Sequence, residues 1–148
     1  MTGQLVLLPP APPSSHPVDV GQRTEAIVLA ELVKRGHHVL MPFGHNHRYD
    51  LVLDLGEKFV RVQCKTARLD DGCVLFNCQS IRSNTKRTFC RDYRGDADLF
   101  VAYCPQTDRV YAVPVDEATR TEIRLRLDPP ANNQKLGVRW ATDYELPA

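Results

Sequence analysis

With 148 residues, 43% of them apolar and 25% charged, the chain can bury one core but not two. A net charge of +1 gives no global basic footprint, so non-specific nucleic-acid binding through bulk charge is disfavoured and interest moves to where the cations cluster. Five cysteines without a CxxC pair point to reduced thiols in the cytoplasm, away from a disulfide framework or a structural zinc site.

Residues 1–17 carry Pro9, Pro10, Pro12, Pro13 and Pro17 with Ser14 and Ser15, and read as a flexible arm. The Leu5-Val6-Leu7-Leu8 patch within it is too short for a membrane span or a signal core. From Gln22 onward Ala26, Ile27, Leu29, Ala30 and Val33 follow helical spacing, and Gly36 is the expected stop. Glu25 edges that apolar stripe. It is either a first-turn glutamate favoured by the helix dipole or an acid aimed across a sheet toward a metal. His37 and His38 are expected at the helix end, where positive charge suits the dipole. His45 and His47 read as a polar turn or a substrate contact.

Two alternating runs follow. Tyr49, Leu51, Leu53 and Leu55 are predicted on one face of a strand, with Asp50, Val52 and Asp54 on the other. Past Gly56-Glu57, Val60, Val62 and Cys64 alternate with Phe59, Arg61, Gln63 and Lys65. A two-residue turn at Gly56-Glu57 sets Leu55 against Lys58 and, counting back, Asp50 opposite Gln63. Opposed side chains have Cβ atoms roughly 4.5–5.5 Å apart, close enough to share one cation. Lys65 projects from the same face one pair further along.

That grouping is what phosphodiester hydrolysis needs: an activated water, charge stabilisation at phosphorus and help for the leaving oxygen. Asp50 is the strongest ligand candidate for a hard cation such as Mg²⁺, and Gln63 can ligate only through its neutral carbonyl oxygen. Lys65 can orient the attacking water or neutralise charge on the pentacovalent phosphorus. Glu25 is the candidate third acid.

Cys73 to Cys78 reads as the next strand. Between Ile81 and Arg94 lie Arg82, Lys86, Arg87, Arg91 and Arg94, with Ser83, Asn84, Thr85 and Thr88 between them and Asp92 as the sole acid. Arginines interleaved with amides can reach phosphates and base edges, so this segment is the candidate DNA-binding loop. The plainer alternative is a solvated surface loop. Arg61 and Arg68 flank the motif as further phosphate contacts, and Tyr93 either stacks near the site or is partly buried. Leu99 to Tyr103 and Val110 to Val115 read as strands joined through Pro105 to Asp108. Asp116 is expected to cap a helix through Glu117, Thr121, Ile123 and Leu127, ending at Asp128-Pro129-Pro130. The domain plan is an arm over 1–17, a core over 18–130 and an extension over 131–148. In the extension Leu136, Val138 and Trp140 form an apolar island that folds back or seals an oligomer interface.

Gly21-Gln22-Arg23-Thr24-Glu25, Arg48-Tyr49-Asp50-Leu51 and Val62-Gln63-Cys64-Lys65-Thr66-Ala67 resemble the PD-(D/E)xK nuclease superfamily. Together with Tyr93 to Phe100, Tyr103-Cys104-Pro105 and Val110 to Pro114, they look most like its group I intron-encoded homing endonucleases of the cyanobacterial type. The resemblance spans roughly residues 19–116. It implies an α/β, restriction-endonuclease-like core: a helix, a mixed central sheet and a further helix. It also implies Mg²⁺-dependent cleavage of double-stranded DNA by a homo-oligomer, a dimer or tetramer. Glu25 then matches the first-helix acid, Asp50 the motif aspartate and Lys65 the motif lysine. Gln63 departs from the usual second acid, as the intron-encoded branch does, and the motif proline is displaced to Pro42. The leading expectation is a site-specific homing endonuclease. A Holliday-junction resolvase and an inactive DNA-binding protein of the same fold are the alternatives.

Overall fold

A computed structural model describes residues 7–118, 121–133 and 136–148, with the side chain of Arg82 left aside. The first helix, α1, spans Pro17–Lys34. Pro17 sits in its first turn, where a missing N–H costs nothing, and the His16 ring accepts the Val18 N–H at 3.3 Å. The last proline of the expected arm is therefore the start of the helix. At the other end Gly36 takes φ +86°, letting its N–H reach Val33 O and that of His37 reach Leu32 O. Gly36 is the predicted stop. His38 does not close the helix; it opens strand β1 (His38–Leu40).

The central sheet adds β2 (Leu51–Asp54), β3 (Phe59–Thr66), β8 (Leu99–Cys104) and β9 (Arg109–Pro114), in the order β1-β2-β3-β8-β9. Only β3 and β8 are parallel; the other pairs are antiparallel, so the sheet is mixed. Strands β4 (Arg68–Asp70), β5 (Cys73–Asn77) and β10 (Glu122–Arg126) make a second sheet, ordered β10-β5-β4. Strands β6 (Ser80–Ser83) and β7 (Thr88–Arg91) form a separate hairpin. A four-residue helix, α2 (Ala141–Tyr144), ends the chain's regular structure.

The central sheet buries both faces. Val28 and Leu32 of α1 pack on Leu51, Leu53, Val62, Val101 and Val110. On the other face Phe100, Ala102, Tyr111 and Val113 meet Val74 and Phe76 of β5 and Ile123 and Leu125 of β10. Successive residues Phe100, Val101 and Ala102 thus serve opposite cores, as a two-sided strand requires.

Three expectations change. The helix after Asp116 is a single 3₁₀ turn (Val115–Glu117), after which β10 pairs antiparallel with β5. Ile123 and Leu125 are fully buried between Glu122, Arg124 and Arg126, a period of two that outweighs the looser helical spacing. The second face of the central sheet is accordingly covered by strands, and the further helix is only the short α2. The basic loop is also a hairpin, because Ser80–Ser83 and Thr88–Arg91 close a four-residue turn at Asn84–Arg87.

The C-terminal residues fold back on the core: Arg126 N–H bonds Arg139 O at 2.7 Å, and Leu146 N–H bonds Val110 O at 2.9 Å. Leu5 and Val6 lie outside the described residues. No helix among those described is long and apolar enough to cross a membrane.

Candidate active site

The β2–β3 hairpin has the register its residues predict. Leu51 pairs with Val62, Val52 with Arg61, Leu53 with Val60 and Asp54 with Phe59. Leu55 N–H meets Lys58 O at 3.0 Å across the Gly56-Glu57 turn, where Gly56 takes φ +83°. The Asp54 carboxylate accepts the Gly56 N–H at 2.9 Å and pins that turn. Tyr49 departs from the alternation. It lies before β2 and packs against the opposite core from Leu51 and Leu53.

Asp50 stands one residue ahead of β2. Its N–H still donates to Val62 O at 2.8 Å, but its carboxylate Oδ2 accepts the Cys64 N–H at 2.9 Å. The side chain thereby substitutes for a backbone acceptor at the point where β3 outruns β2. This clamps Asp50 to the strand segment between Gln63 and Lys65, and no donor among the described residues engages Oδ1.

From the helix side Glu25 joins Asp50 on the wall of an open cleft of about 530 Å³, whose rim also includes Met41, Phe43, His45, His47 and Tyr49. Burial raises the Asp50 pKa above the ordinary carboxylate range, against the pull of the Cys64 N–H and Lys65. Burial, and then the Asp50 charge, raises that of Glu25. The Cys64 thiol is lifted by its burial and then by the same two carboxylates, which places both charges beside β3.

Lys65 is the other charge that Asp50 feels. Its ammonium donates to Gln79 O at 3.3 Å and to the Tyr93 hydroxyl at 3.4 Å, and lies 4.5 Å from the centroid of the Tyr93 ring. Burial lowers its pKa to about 8, with Cys78 and Asp50 opposing the fall and Arg48 adding to it. Asp50 therefore feels both the acid of α1 and the lysine of β3. Gln63 donates Nε2 to Cys64 O at 3.3 Å, and neither Gln63 nor Lys65 lines the cleft.

The donor set fits a hard divalent cation. Two carboxyls share an open cleft, each carrying a charge that burial penalises, and an ion between them relieves both. No group of three His, Cys, Asp or Glu gathers for a metal among the described residues.

Arg48 is a site residue that sequence reasoning does not single out, although it is two positions from Asp50. Its guanidinium bonds Asp96 at 3.2 Å, Ser80 Oγ and Asp92 O, and lies 4.3 Å over the Tyr93 ring. It ties the base of the β6–β7 hairpin to the site. Adjacency to the aspartate in Arg48-Tyr49-Asp50 is the only signal the sequence offers.

The DNA-binding candidates divide by what holds them. Lys86 and Arg87 are exposed at the hairpin tip, where the Asn84 side chain accepts both of their N–H groups at 2.9 and 2.8 Å. Asn84 thus shapes the turn. Arg94 is also exposed. Arg91 pairs with Asp96 at 3.0 Å, and Arg68 with Glu122 at 3.7 Å, both while largely exposed. Arg61 is not an open phosphate contact: it grips Asp98 at 3.0 Å and Gly95 O at 2.9 Å, tying β3 to the start of β8. Tyr93 is 6% exposed and faces Lys65, not solvent. The Arg82 side chain lies outside the described residues.

A family model described as PD-(D/E)XK endonuclease matches residues 15–147. The solved structure of a bacterial homing endonuclease, I-Ssp6803I, is similar to this chain with a TM-score of 0.72 and 25% identity, covering 89% of each chain. Hjc, a Holliday junction resolvase from Archaeoglobus fulgidus, is similar at a TM-score of 0.44 and 18% identity over 72% of this chain and 83% of its own, a likeness too weak to build on. No curated protein matches. With the family model spanning nearly the whole chain and the mixed sheet carrying the motif hairpin, the protein belongs to the PD-(D/E)XK endonuclease family.

Proposed function

We propose that the protein is a Mg²⁺-dependent, site-specific DNA endonuclease of the homing type, acting as a homo-oligomer. The observation that carries this reading is the Asp50 carboxylate, fixed by the Cys64 N–H on the wall of the cleft it shares with Glu25. Likeness over 89% of both chains to a bacterial homing endonuclease supports the substrate class.

Asp50 and Glu25 would hold the ion through carboxylate oxygens, and Gln63 could add only its neutral amide oxygen. A bound Mg²⁺ would supply Lewis acidity toward a phosphoryl oxygen and a more acidic water. Asp50, held by a backbone bond, offers its free oxygen without reorganising. Lys65, whose pKa burial lowers to about 8, is the group that presents positive charge to the phosphate. Lys86, Arg87 and Arg94, all exposed, are the contacts to backbone phosphates. One site cuts one strand, so a double-strand break requires at least two copies about a two-fold axis.

The test is cleavage of a random duplex library with Mg²⁺, followed by sequencing of the cut products. A single defined site, cut in both strands and uncut by Asp50→Ala and Lys65→Ala, is expected. A four-way junction cut in preference to linear duplex of equal sequence would replace this reading with a resolvase. Duplex binding without hydrolysis at any divalent-metal concentration would replace it with a DNA-binding protein.

A further inference from the structure

Lys65 is held in an unusual way for a half-buried cation. No ion pair joins it to a carboxylate among the described residues; its contacts are the Gln79 carbonyl, the Tyr93 hydroxyl and the Tyr93 ring, with the Phe100 ring at 5.9 Å. A buried ammonium normally finds a carboxylate, because desolvation is otherwise uncompensated. Here neutral and quadrupolar groups hold it, so its charge stays available to an incoming anion.

Tyr93 is itself fixed on several sides. Its ring meets Phe100 edge-on at 5.5 Å and 87°, and the Arg48 guanidinium lies over it at 4.3 Å. Arg48 is held in turn by Ser80, Asp92 and Asp96. An aromatic ring pinned by an edge contact and a bonded guanidinium is a rigid platform, and cation–π attraction strengthens as water is excluded.

We propose that Tyr93 is a positioning residue: its ring, oriented by Arg48, holds the Lys65 ammonium at the height from which it meets the scissile phosphate. This rests on the reading of Lys65 as a group that acts on DNA. The ring is the working part, and the hydroxyl, at 3.4 Å, contributes a weaker contact.

The first measurement needs neither DNA nor a variant protein beyond one used for assignment. In the full chain, the Lys65 ε-methylene protons, assigned by their disappearance in Lys65→Arg, are expected upfield of ordinary lysine values through the ring current of Tyr93. An ordinary shift in the wild-type chain overturns the proposal. The second measurement is Mg²⁺-dependent cleavage of a duplex recovered from the random library. Tyr93→Phe keeps the ring and is expected to retain the upfield shift and a kcat within about threefold of wild type, whereas Tyr93→Leu, folded by its near-ultraviolet spectrum, loses about tenfold or more in kcat with KM little changed. Wild-type kcat in Tyr93→Leu while Lys65→Ala is inactive overturns it as well. Lys65→Ala cleaving like wild type instead removes the nuclease role of Lys65 and leaves the proton shift to decide whether the ring holds the ammonium.

Discussion

The Asp50 carboxylate accepts the Cys64 backbone N–H at 2.9 Å, so the same side chain closes the β2–β3 ladder and lines a cleft with Glu25. Its two oxygens differ: Oδ2 completes the sheet, and Oδ1 has no donor among the described residues. Two substitutions separate these roles. Asp50→Asn retains an oxygen acceptor for the Cys64 N–H and loses the charge. Asp50→Ala loses both.

Both variants are expected to abolish Mg²⁺-dependent cleavage, but their stabilities should differ. Because burial dominates the raised pKa of Asp50, the metal-free Asn variant should be at least as stable as wild type at pH 7. The Ala variant leaves an N–H without its acceptor and should lose about 1–3 kcal/mol. Urea unfolding of both without metal checks this, and equal losses would deny the carboxylate its place in the ladder.

Lys65 gives a pH prediction with a definite sign. Its folded-state pKa of about 8 lies below its ordinary value of 10.5, so the unfolded chain binds the proton more readily between those limits. Stability contributed by this group therefore rises as pH climbs from about 8 toward 10.5 and is flat below. Lys65→Met removes the buried charge, and should stabilise the metal-free protein at pH 7 by up to about 3 kcal/mol while eliminating cleavage. The advantage should shrink across that pH window in parallel denaturant titrations. An advantage independent of pH would mean that Lys65 is not buried as a cation.

Metal binding should follow from the two carboxyls. Both have raised pKa values, so protons compete with a cation at a higher pH than for ordinary carboxylates. Mg²⁺, or non-catalytic Ca²⁺, should raise Tm as expected for a ligand that binds only the folded state. The increment should diminish as pH falls toward the raised carboxylate range and be lost in Asp50→Asn. Glu25→Gln should reduce it. Scanning calorimetry with and without the ion reads all three, and an undiminished increment in Asp50→Asn would place the ion elsewhere.

How far the residues disclose this arrangement depends on how local the determining interaction is. The β2–β3 register follows from Gly56 at the turn and strict alternation of Leu51, Leu53, Val60 and Val62, all within one hairpin. Asp50 and Lys65 can therefore be placed on adjoining strands from spacing alone. Tyr49 cannot, because it precedes β2 and answers to the distant core around Phe100 and Tyr111. The β10 strand is another such case: Ile123 and Leu125 are strand residues because β5, some fifty positions earlier, offers them an edge. Arg48 and Tyr93 are farther still from local inference. Arginine and tyrosine beside an acidic motif read equally well as surface contacts, and only the tertiary fold brings Arg48 over the ring and Lys65 onto it.

The basic segment yields the last prediction, because its cations differ in what already holds them. Lys86 and Arg87 project from the tip of a hairpin whose turn is set by Asn84, so replacing either with Ala leaves the turn bonds in place. Each should weaken duplex binding with little change in stability. Removing one cation that neutralises a phosphate should also reduce the salt dependence, the slope of log K against log salt, by about 0.9. Arg61 should behave in the opposite way. Its guanidinium joins Asp98 and Gly95 O, and Asp98 also accepts the Arg61 N–H at 2.8 Å. Arg61→Ala should lower stability by about 1 kcal/mol, reduced by its partial exposure, and leave the salt slope unchanged. Fluorescence anisotropy on a labelled duplex at several salt concentrations, beside urea unfolding, reads both quantities for each variant. A salt slope that falls in Arg61→Ala but not in Lys86→Ala or Arg87→Ala would move the DNA path off the hairpin tip and onto the β3 edge.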